Sequence, residues 1–209
     1  MSTQIETRGW SGMTEHVLSP RSRASRERVL EQLRALFLTE GFADATLADL
    51  AERLRCSRTT LYLVASSKEQ IVVAVVRSYF KAAAANIEAR LATEADPVAR
   101  LALYLDAVAA ELQPASASFH ADVAALPPAD EVYRLNTHFA VQRVRALIDD
   151  GVAAGALRDV DAAFASSVIG AVMTAIQRGS IKAETGLDDA AAYRNLSDLL
   201  VHGLGRQRR

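Results

Sequence analysis

The run Ser57-Arg58-Thr59-Thr60 carries side chains that are suited to reading the edge of a nucleobase. An arginine can donate two parallel hydrogen bonds to guanine, and a threonine can contact a thymine methyl group or a phosphate. Serine is a preferred N-cap residue, so Ser57 predicts that the three residues after it occupy the first turn of a helix. The run therefore predicts a short helix that offers Arg58, Thr59 and Thr60 to a DNA groove.

Backbone N–H groups can add phosphate contacts beside this run. The first N–H groups of a helix have no partner inside the helix and readily bind an anion. We therefore expect the helix ends at Thr46 and Ser57 to contact phosphates. Arg26 and Lys68 place further positive charge in the same part of the sequence, and both are predicted to contact DNA.

Two short helices would position these groups. Thr46 would cap the first helix, and Ser57 would cap the second, which is expected to run from Arg58 to about Val64. Four apolar residues have the spacing that lets the two helices pack across a tight turn, namely Leu50, Ala51, Leu54 and Leu61. In such a helix-turn-helix unit the second helix enters the major groove with its N-terminal turn.

The composition favours helices throughout the 209 residues. Hydrophobic residues make up 50% and charged residues 23%, which excludes a disordered chain. Alanine is frequent, whereas there are only 10 glycines and 5 prolines. Aromatic residues make up 6%, which argues against a β-sandwich or barrel. Caps, apolar spacing and helix breakers together predict an all-α protein of about nine helices.

The pattern divides the chain into three parts. Residues 1–22 lack helical periodicity and are expected to form a flexible tail. Residues 23–70 would hold the helix-turn-helix unit and a preceding helix that is capped by Ser25 and ends at Gly41. Residues 71–209 would hold six further helices, of which one is expected to run without a break from 161 to about 184.

The charge is distributed unevenly between these parts. The net charge is −1, so the chain as a whole is not a basic protein of the histone type. Residues 21–81 nevertheless hold 11 basic and 7 acidic residues, whereas residues 82–209 hold 12 and 16. This asymmetry indicates a local contact with a polyanion in the N-terminal third.

The segment from Arg26 to about Ile71 resembles the DNA-binding domain of TetR-family transcriptional regulators. The resemblance depends on five motifs in this order: R-E-R-V-L, L-F-L-T-E-G-F, T-L-A-D-L-A, S-R-T-T-L-Y and S-K-E. It implies that the first three helices read DNA and that the remaining helices form a ligand-binding and dimerisation domain. It also implies that Tyr62 contacts a phosphate, although a tyrosine at that spacing could instead cover the core.

The resemblance further implies how such a protein acts. A homodimer would bind a palindromic operator in double-stranded DNA, with two recognition helices about 34–36 Å apart. Repression is the usual mode in the family. An unknown small-molecule effector would release the protein from DNA by shifting its population towards a spacing that does not fit. Charges are sparse in the later helices, so we expect a mostly apolar effector.

Three residues depart from the family pattern. Arg55 stands where the turn usually has glycine, so either its backbone is strained at positive φ or the turn differs. Val64 replaces a residue that normally helps to hold phosphate, and Ala65 replaces a larger residue that packs under the helix. These changes leave an alternative open, in which a TetR-like helical protein with altered or lost sequence-specific DNA binding serves as a partner-binding module.

Candidate effector contacts are polar, aromatic or methionine residues at apolar positions of the later helices. These are Tyr104, Phe119, His120, Tyr133, His138, Phe139, Met173 and Gln177. Met173 and Gln177 are four residues apart and so share a helix face. An aromatic or methionine residue on an amphipathic helix is more often an ordinary core residue, and this remains the alternative for each of the eight.

No motif predicts an enzyme, a metal site or a cofactor. The four histidines lack metal-binding spacing, and there is neither a glycine-rich phosphate loop nor a Gly-x-Ser-x-Gly elbow. Cys56 is the sole cysteine, which excludes an intramolecular disulfide, and we expect it to be buried rather than to sense redox state. Because no long apolar run occurs, we expect no membrane contact and a cytoplasmic location.

Overall fold

The computed structural model describes residues 19–204, and this part of the chain contains ten α-helices and no β-strand. In chain order the helices are α1 (Pro20–Glu40), α2 (Leu47–Arg53), α3 (Arg58–Leu61), α4 (Lys68–Leu91), α5 (Pro97–Leu112), α6 (Ala117–Ala125), α7 (Pro127–Ala153), α8 (Ala162–Gln177), α9 (Ser180–Thr185) and α10 (Asp189–Leu204). The all-α prediction is confirmed. Within residues 19–204 no helix is both long and apolar enough to span a membrane.

Helix α1 begins earlier than predicted. The prediction that Ser25 caps it is wrong, because Ser19 and Pro20 start the helix. The Ser19 hydroxyl accepts a hydrogen bond from the Ser22 N–H at 3.1 Å, and proline is favoured at the first helical position because its missing N–H is not needed there. Residues 20–22 of the predicted tail therefore belong to α1, with Ser19 as the N-cap, and residues 1–18 lie outside the described part of the chain.

The single helix predicted from 161 to about 184 is divided into α8 and α9. Asp161 caps α8, since its carboxylate accepts a hydrogen bond from the Phe164 N–H at 2.9 Å. Gly179 then adopts a left-handed conformation with φ +75°, which ends the ladder of helical hydrogen bonds. For this reason residues 19–204 contain one helix more than the nine predicted.

Two apolar cores hold the helices together. The first joins α1–α3 to the N-terminal half of α4, to α6 and to the start of α7. The second joins the C-terminal half of α4 to α5, α7, α8 and α10. Phe119 and Val123 of α6 lie in the first core, so this helix packs against the same core as the helix-turn-helix unit. Helices α4 and α7 contribute to both cores and connect them.

The turn between α2 and α3 contains a strained residue. Arg55 has φ +50°, and it is the one non-glycine residue with positive φ between residues 19 and 204. Its N–H donates to the Glu52 carbonyl at 3.0 Å, and the next N–H, of Cys56, donates to Ala51 at 2.9 Å. The helix-turn-helix path is therefore kept without the glycine, and Arg55 carries the strain that a Cβ brings to the left-handed region.

We expect Arg55→Gly to raise the free energy of unfolding by about 0.5–1 kcal/mol. Removal of the Cβ relieves a left-handed strain of about 1–2 kcal/mol, part of which is offset by the greater entropy of glycine in the unfolded chain. Urea denaturation at fixed protein concentration measures the change. The control is Arg55→Ala, which removes the charge and keeps the Cβ. An equal gain in both variants would attribute the effect to charge and contradict the strain.

Candidate functional site

Helix α3 offers its first turn to solvent. The Ser57 hydroxyl accepts a hydrogen bond from the Thr60 N–H at 3.1 Å and lies 2.8 Å from the Thr60 hydroxyl. Arg58 and Thr59 are exposed, whereas Thr60 is half-buried and its hydroxyl is held by the cap. Leu61 is fully buried and anchors the helix in the first core. The tip therefore leaves Arg58 and Thr59 accessible to a ligand in solution.

The start of α2 lies beside this tip and is closed by a capping box. The Thr46 hydroxyl accepts from the Asp49 N–H at 3.2 Å, while the Asp49 carboxylate accepts from the Thr46 N–H at 2.8 Å and from its hydroxyl at 2.7 Å. These hydrogen bonds, the backbone one first, lower the pKa of Asp49. The Thr46 N–H is thus already bonded, and the N–H groups of Leu47 and Ala48 at the first helical positions are the ones that a phosphate at this end would meet.

Lys68 joins the start of α4 to the loop before α2. Its ammonium group donates to the Ala43 carbonyl at 2.8 Å, and the Ala43 N–H donates to the Asp122 carboxylate of α6, also at 2.8 Å. Lys68, Arg58 and Thr46 line the same open depression at the surface. The structure thereby brings together three residues from the starts of α2, α3 and α4.

Of the remaining predicted DNA contacts, Tyr62 is 48% exposed and Arg26 is half-buried on α1. About half of the Tyr62 surface is therefore accessible to a phosphate. Val64 is only 7% exposed and packs in the first core, so this position offers no polar group to DNA. Cys56 is half-buried, and burial raises the pKa of its thiol, which disfavours the reactive thiolate.

A second site lies in the helical body, as a cavity of about 210 Å³ between α4, α5, α7 and α8. Four of the eight predicted effector contacts line it: Tyr104, Phe139, Met173 and Gln177. The Gln177 amide accepts from the Thr137 hydroxyl at 3.2 Å and donates to the Tyr193 hydroxyl at 3.1 Å. The oxygen and the nitrogen of the Gln177 amide therefore both form hydrogen bonds within the protein, which connect α8 to α7 and α10.

The other four predicted contacts lie outside the cavity wall. Phe119 is buried in the first core, and His120 packs edge-on against Tyr133 with ring centroids 6.0 Å apart. Burial lowers the pKa of His120, which favours the neutral form of the ring. His138 is exposed, with its ring centroid 6.0 Å from that of Phe139. The Tyr133 hydroxyl is buried and has no hydrogen-bond partner within residues 19–204.

The cavity wall also holds charged groups that sequence reasoning missed. Arg143 donates to both oxygens of the Glu88 carboxylate, at 2.7 and 2.9 Å. Glu111 accepts a hydrogen bond from the Asn86 amide at 3.1 Å, and its carbonyl accepts from the Tyr79 hydroxyl at 2.7 Å. Charged residues on long amphipathic helices are usually solvated, so the sequence carried no signal that these three line a cavity.

Aromatic contacts lead from the cavity to the first core. Phe80 lines the cavity and lies 5.0 Å from Tyr79, centroid to centroid. The Tyr79 ring packs edge-on against Phe119 at 6.0 Å, and Phe119 packs edge-on against Phe42 at 6.3 Å. Phe42 lies in the loop before α2 and contacts Phe37 at 5.3 Å. A continuous set of rings therefore connects the cavity wall with α1 and with the loop that leads into α2.

The comparisons with known proteins agree with this arrangement. Residues 29–75 match the family model described as bacterial regulatory proteins of the tetR family. This match covers α2, α3 and the adjoining parts of α1 and α4. No curated protein matches the chain.

Solved structures of similar fold cover most of the chain. A transcriptional regulator from Saccharomonospora viridis in complex with choline has a TM-score of 0.74 at 22% identity, over 88% of this chain and 100% of that one. A TetR transcription regulator from Haloarcula marismortui has a TM-score of 0.71 at 17% identity, over 88% and 100%. A TetR regulator from Chloroflexus aurantiacus has a TM-score of 0.70 at 22% identity, over 90% and 100%.

Proposed function

We propose that the chain is a TetR-family regulator that represses transcription as a ligand-responsive homodimer on a palindromic operator. The match of residues 29–75 to the family model and the similarity of fold support this proposal. The family model is described as bacterial regulatory proteins, which agrees with a regulatory role. The observation that carries the proposal is the exposed first turn of α3, with Arg58 and Thr59 beside the start of α2 and Lys68.

The chemistry of this surface supports direct contact with duplex DNA. Arg58 can donate two hydrogen bonds to a guanine edge, and Thr59 is placed to contact a thymine methyl group or a phosphate. The free N–H groups at the start of α2 and the exposed Tyr62 hydroxyl supply phosphate contacts that fix the register. Binding through such contacts weakens steeply with rising salt concentration.

Dimerisation is supported by an apolar patch on α8 and α10. Phe164 is 71% exposed and Val168, four residues later on the same face of α8, is 47% exposed. Leu199 on the adjoining helix α10 is 70% exposed. Large apolar side chains gathered on neighbouring helices are typical of an interface. Gly170, by contrast, serves packing within the chain, because a Cβ there would lie 2.4 Å from Val141 of α7.

A response to a small effector is supported by the cavity and by its connection to α1–α3. An occupant of the cavity contacts Phe80, whose neighbour Tyr79 packs on Phe119 of α6. Displacement of α6 in turn acts on the loop before α2 through Asp122. The choline bound to the similar regulator from Saccharomonospora viridis is a small organic ligand of the kind we propose for this chain.

Selection of bound sequences from random duplexes, combined with the mass of the protein in solution, tests the proposal. We expect a palindromic consensus, a dimeric mass and an affinity that decreases steeply with salt. If the protein bound no duplex at all, the alternative would hold, in which a TetR-like helical protein serves as a partner-binding module. The buried Val64, at a position that usually helps to hold phosphate, is the observation that favours that alternative.

We expect Arg58→Ala to weaken operator binding by about 1–3 kcal/mol and to relax the preference at one base pair of each half-site. Fluorescence anisotropy against the selected operator and its single-base variants measures both effects. Arg90→Ala is the control, because Arg90 is exposed at the end of α4 opposite to Lys68. An equal loss of affinity for the operator and all its single-base variants would show that Arg58 contacts phosphate instead of a base.

A further inference from the structure

We propose that the cavity in the helical body binds a small organic cation of the alkylammonium class, with Glu111 as its counter-charge and aromatic rings around it. The inference rests on the proposed function, since it specifies the effector class of the same regulator. The sequence predicts a mostly apolar effector, whereas this inference specifies a compact organic molecule that carries a single positive charge.

The size of the cavity limits the ligand. Sites for drug-sized molecules occupy about 300–1,000 Å³. The cavity here measures about 210 Å³, which suits a compact molecule. Phe139 lines the cavity and is 56% exposed, so this residue marks the side that is open to solvent.

The charges of the wall favour a cation. The wall holds two carboxylates and one guanidinium group. Glu88 and Arg143 neutralise each other through two hydrogen bonds, at 2.7 and 2.9 Å. The hydrogen bond described for the Glu111 carboxylate comes from the neutral amide of Asn86, which leaves its negative charge uncompensated by that partner. The wall as a whole therefore carries one excess negative charge.

The aromatic residues supply the second part of the recognition. Phe80, Tyr104 and Phe139 line the cavity from three different helices, α4, α5 and α7. The Tyr104 hydroxyl donates to the Ala140 carbonyl at 3.3 Å, so its polar end is engaged within the protein and its ring remains for the ligand. Aromatic faces attract alkylammonium groups through their quadrupole, and a cage of several rings is the usual arrangement for such ligands.

A zwitterion fits this cavity less well than a cation. Its carboxylate would need Arg143, and binding would break or share the two hydrogen bonds to Glu88. Release of Glu88 would add a second uncompensated negative charge to the wall. An anion would meet both difficulties and would also be repelled by Glu111.

Titration calorimetry of the full chain with choline and tetramethylammonium tests the inference, with 3,3-dimethyl-1-butanol as the neutral isostere of choline. We expect both cations to bind and the neutral isostere to bind at least tenfold more weakly than choline. Glu111→Gln is expected to weaken choline about tenfold and to leave the neutral isostere unchanged. Asp106→Asn is the matched control, because Asp106 is an exposed carboxylate on the same helix α5 and does not line the cavity.

A second variant tests the inference even if the Glu111→Gln protein does not fold. Phe139→Leu alters an exposed side chain and keeps its apolar character, so the fold is expected to persist. It should reduce the preference for choline over the neutral isostere by about fivefold. An unchanged preference for choline in Phe139→Leu would contradict the role of the Phe139 ring. Equal weakening of choline and its isostere by Glu111→Gln would contradict the role of Glu111 as the counter-charge.

Operator binding by the same preparation separates this inference from the proposed function. If the protein binds its operator but neither cation, or binds glycine betaine more tightly than choline, the effector class is wrong and the regulatory function stands. If it binds the cations but no duplex, the proposed function fails and the cavity assignment stands. Where both hold, choline should change operator affinity, and by linkage the operator should change choline affinity by the same factor.

Discussion

Replacement of Phe164 by aspartate is expected to convert the dimer into a monomer and to weaken operator binding at least 100-fold. In the proposed dimer the Phe164 ring is covered by the partner subunit, and a carboxylate there would be buried without a counter-charge. A monomer contacts one half-site at a time and loses the effective concentration that links the two halves, a factor of about 10²–10⁴. Sedimentation equilibrium and anisotropy on the selected palindrome measure the two effects.

The control for this prediction is Ala85→Asp, which places the same charge at an exposed position of α4. We expect it to stay dimeric and to keep parental affinity. Val168→Asp, on the same face of α8, should reproduce the effect of Phe164→Asp. A Phe164→Asp variant that remains dimeric with full affinity would exclude α8 as the interface.

Local sequence signals account for the helix-turn-helix unit. The caps at Thr46 and Ser57 lie where the sequence predicts them, because a cap depends on hydrogen bonds between residues three positions apart. The sequence leaves two possibilities open at Arg55, a positive φ or an altered turn. In the structure Arg55 adopts a positive φ. Whether Arg58, Thr59 and Tyr62 contact DNA stays a prediction.

The cavity was predicted only in part, because its wall is assembled from four helices. Met173 and Gln177 share one face of α8 and could be paired by their spacing. Glu111 and Arg143 lie on different helices, and no periodicity indicates that α5 and α7 bring them to the same cavity. The sequence likewise predicts Gly179 within a helix, since a helix tolerates glycine at a cost of about 1 kcal/mol. Its positive φ depends on the neighbouring packing, which the sequence does not show.

Asp122 makes a long-range contact that no local sequence pattern predicts. We expect its removal to have the second large effect, on the stability of the protein. Its carboxylate accepts hydrogen bonds from the N–H groups of Phe42 and Ala43, which are 80 and 79 residues away in sequence. Gly41 permits this approach, because a Cβ at that position would lie 2.5 Å from the carboxylate. The two hydrogen bonds fix α6, and with it the first core, to the loop that leads into α2.

We expect Asp122→Ala to lower the free energy of unfolding by about 3 kcal/mol. A hydrogen bond to a charged group contributes about 1.5–3 kcal/mol, and the substitution removes two of them while leaving the Phe42 N–H half-buried without its acceptor. Urea denaturation at fixed protein concentration measures the loss. Asp122→Asn keeps one acceptor oxygen without the charge and should lose about half as much.

The Asp122→Ala variant also tests whether α6 transmits effector binding in the cavity to the helix-turn-helix unit. With the contact to the loop removed, binding of an effector should no longer change operator affinity, although each ligand still binds under conditions in which the protein is folded. Asp106→Ala, an exposed aspartate on α5, serves as the control for loss of a surface charge. An Asp122→Ala protein that keeps parental stability and a full effector response would show that the hydrogen bonds to the loop neither hold α6 nor carry the coupling. The coupling would then pass through other contacts, such as the Phe119–Phe42 ring contact or the helices α4 and α7 that join the two cores.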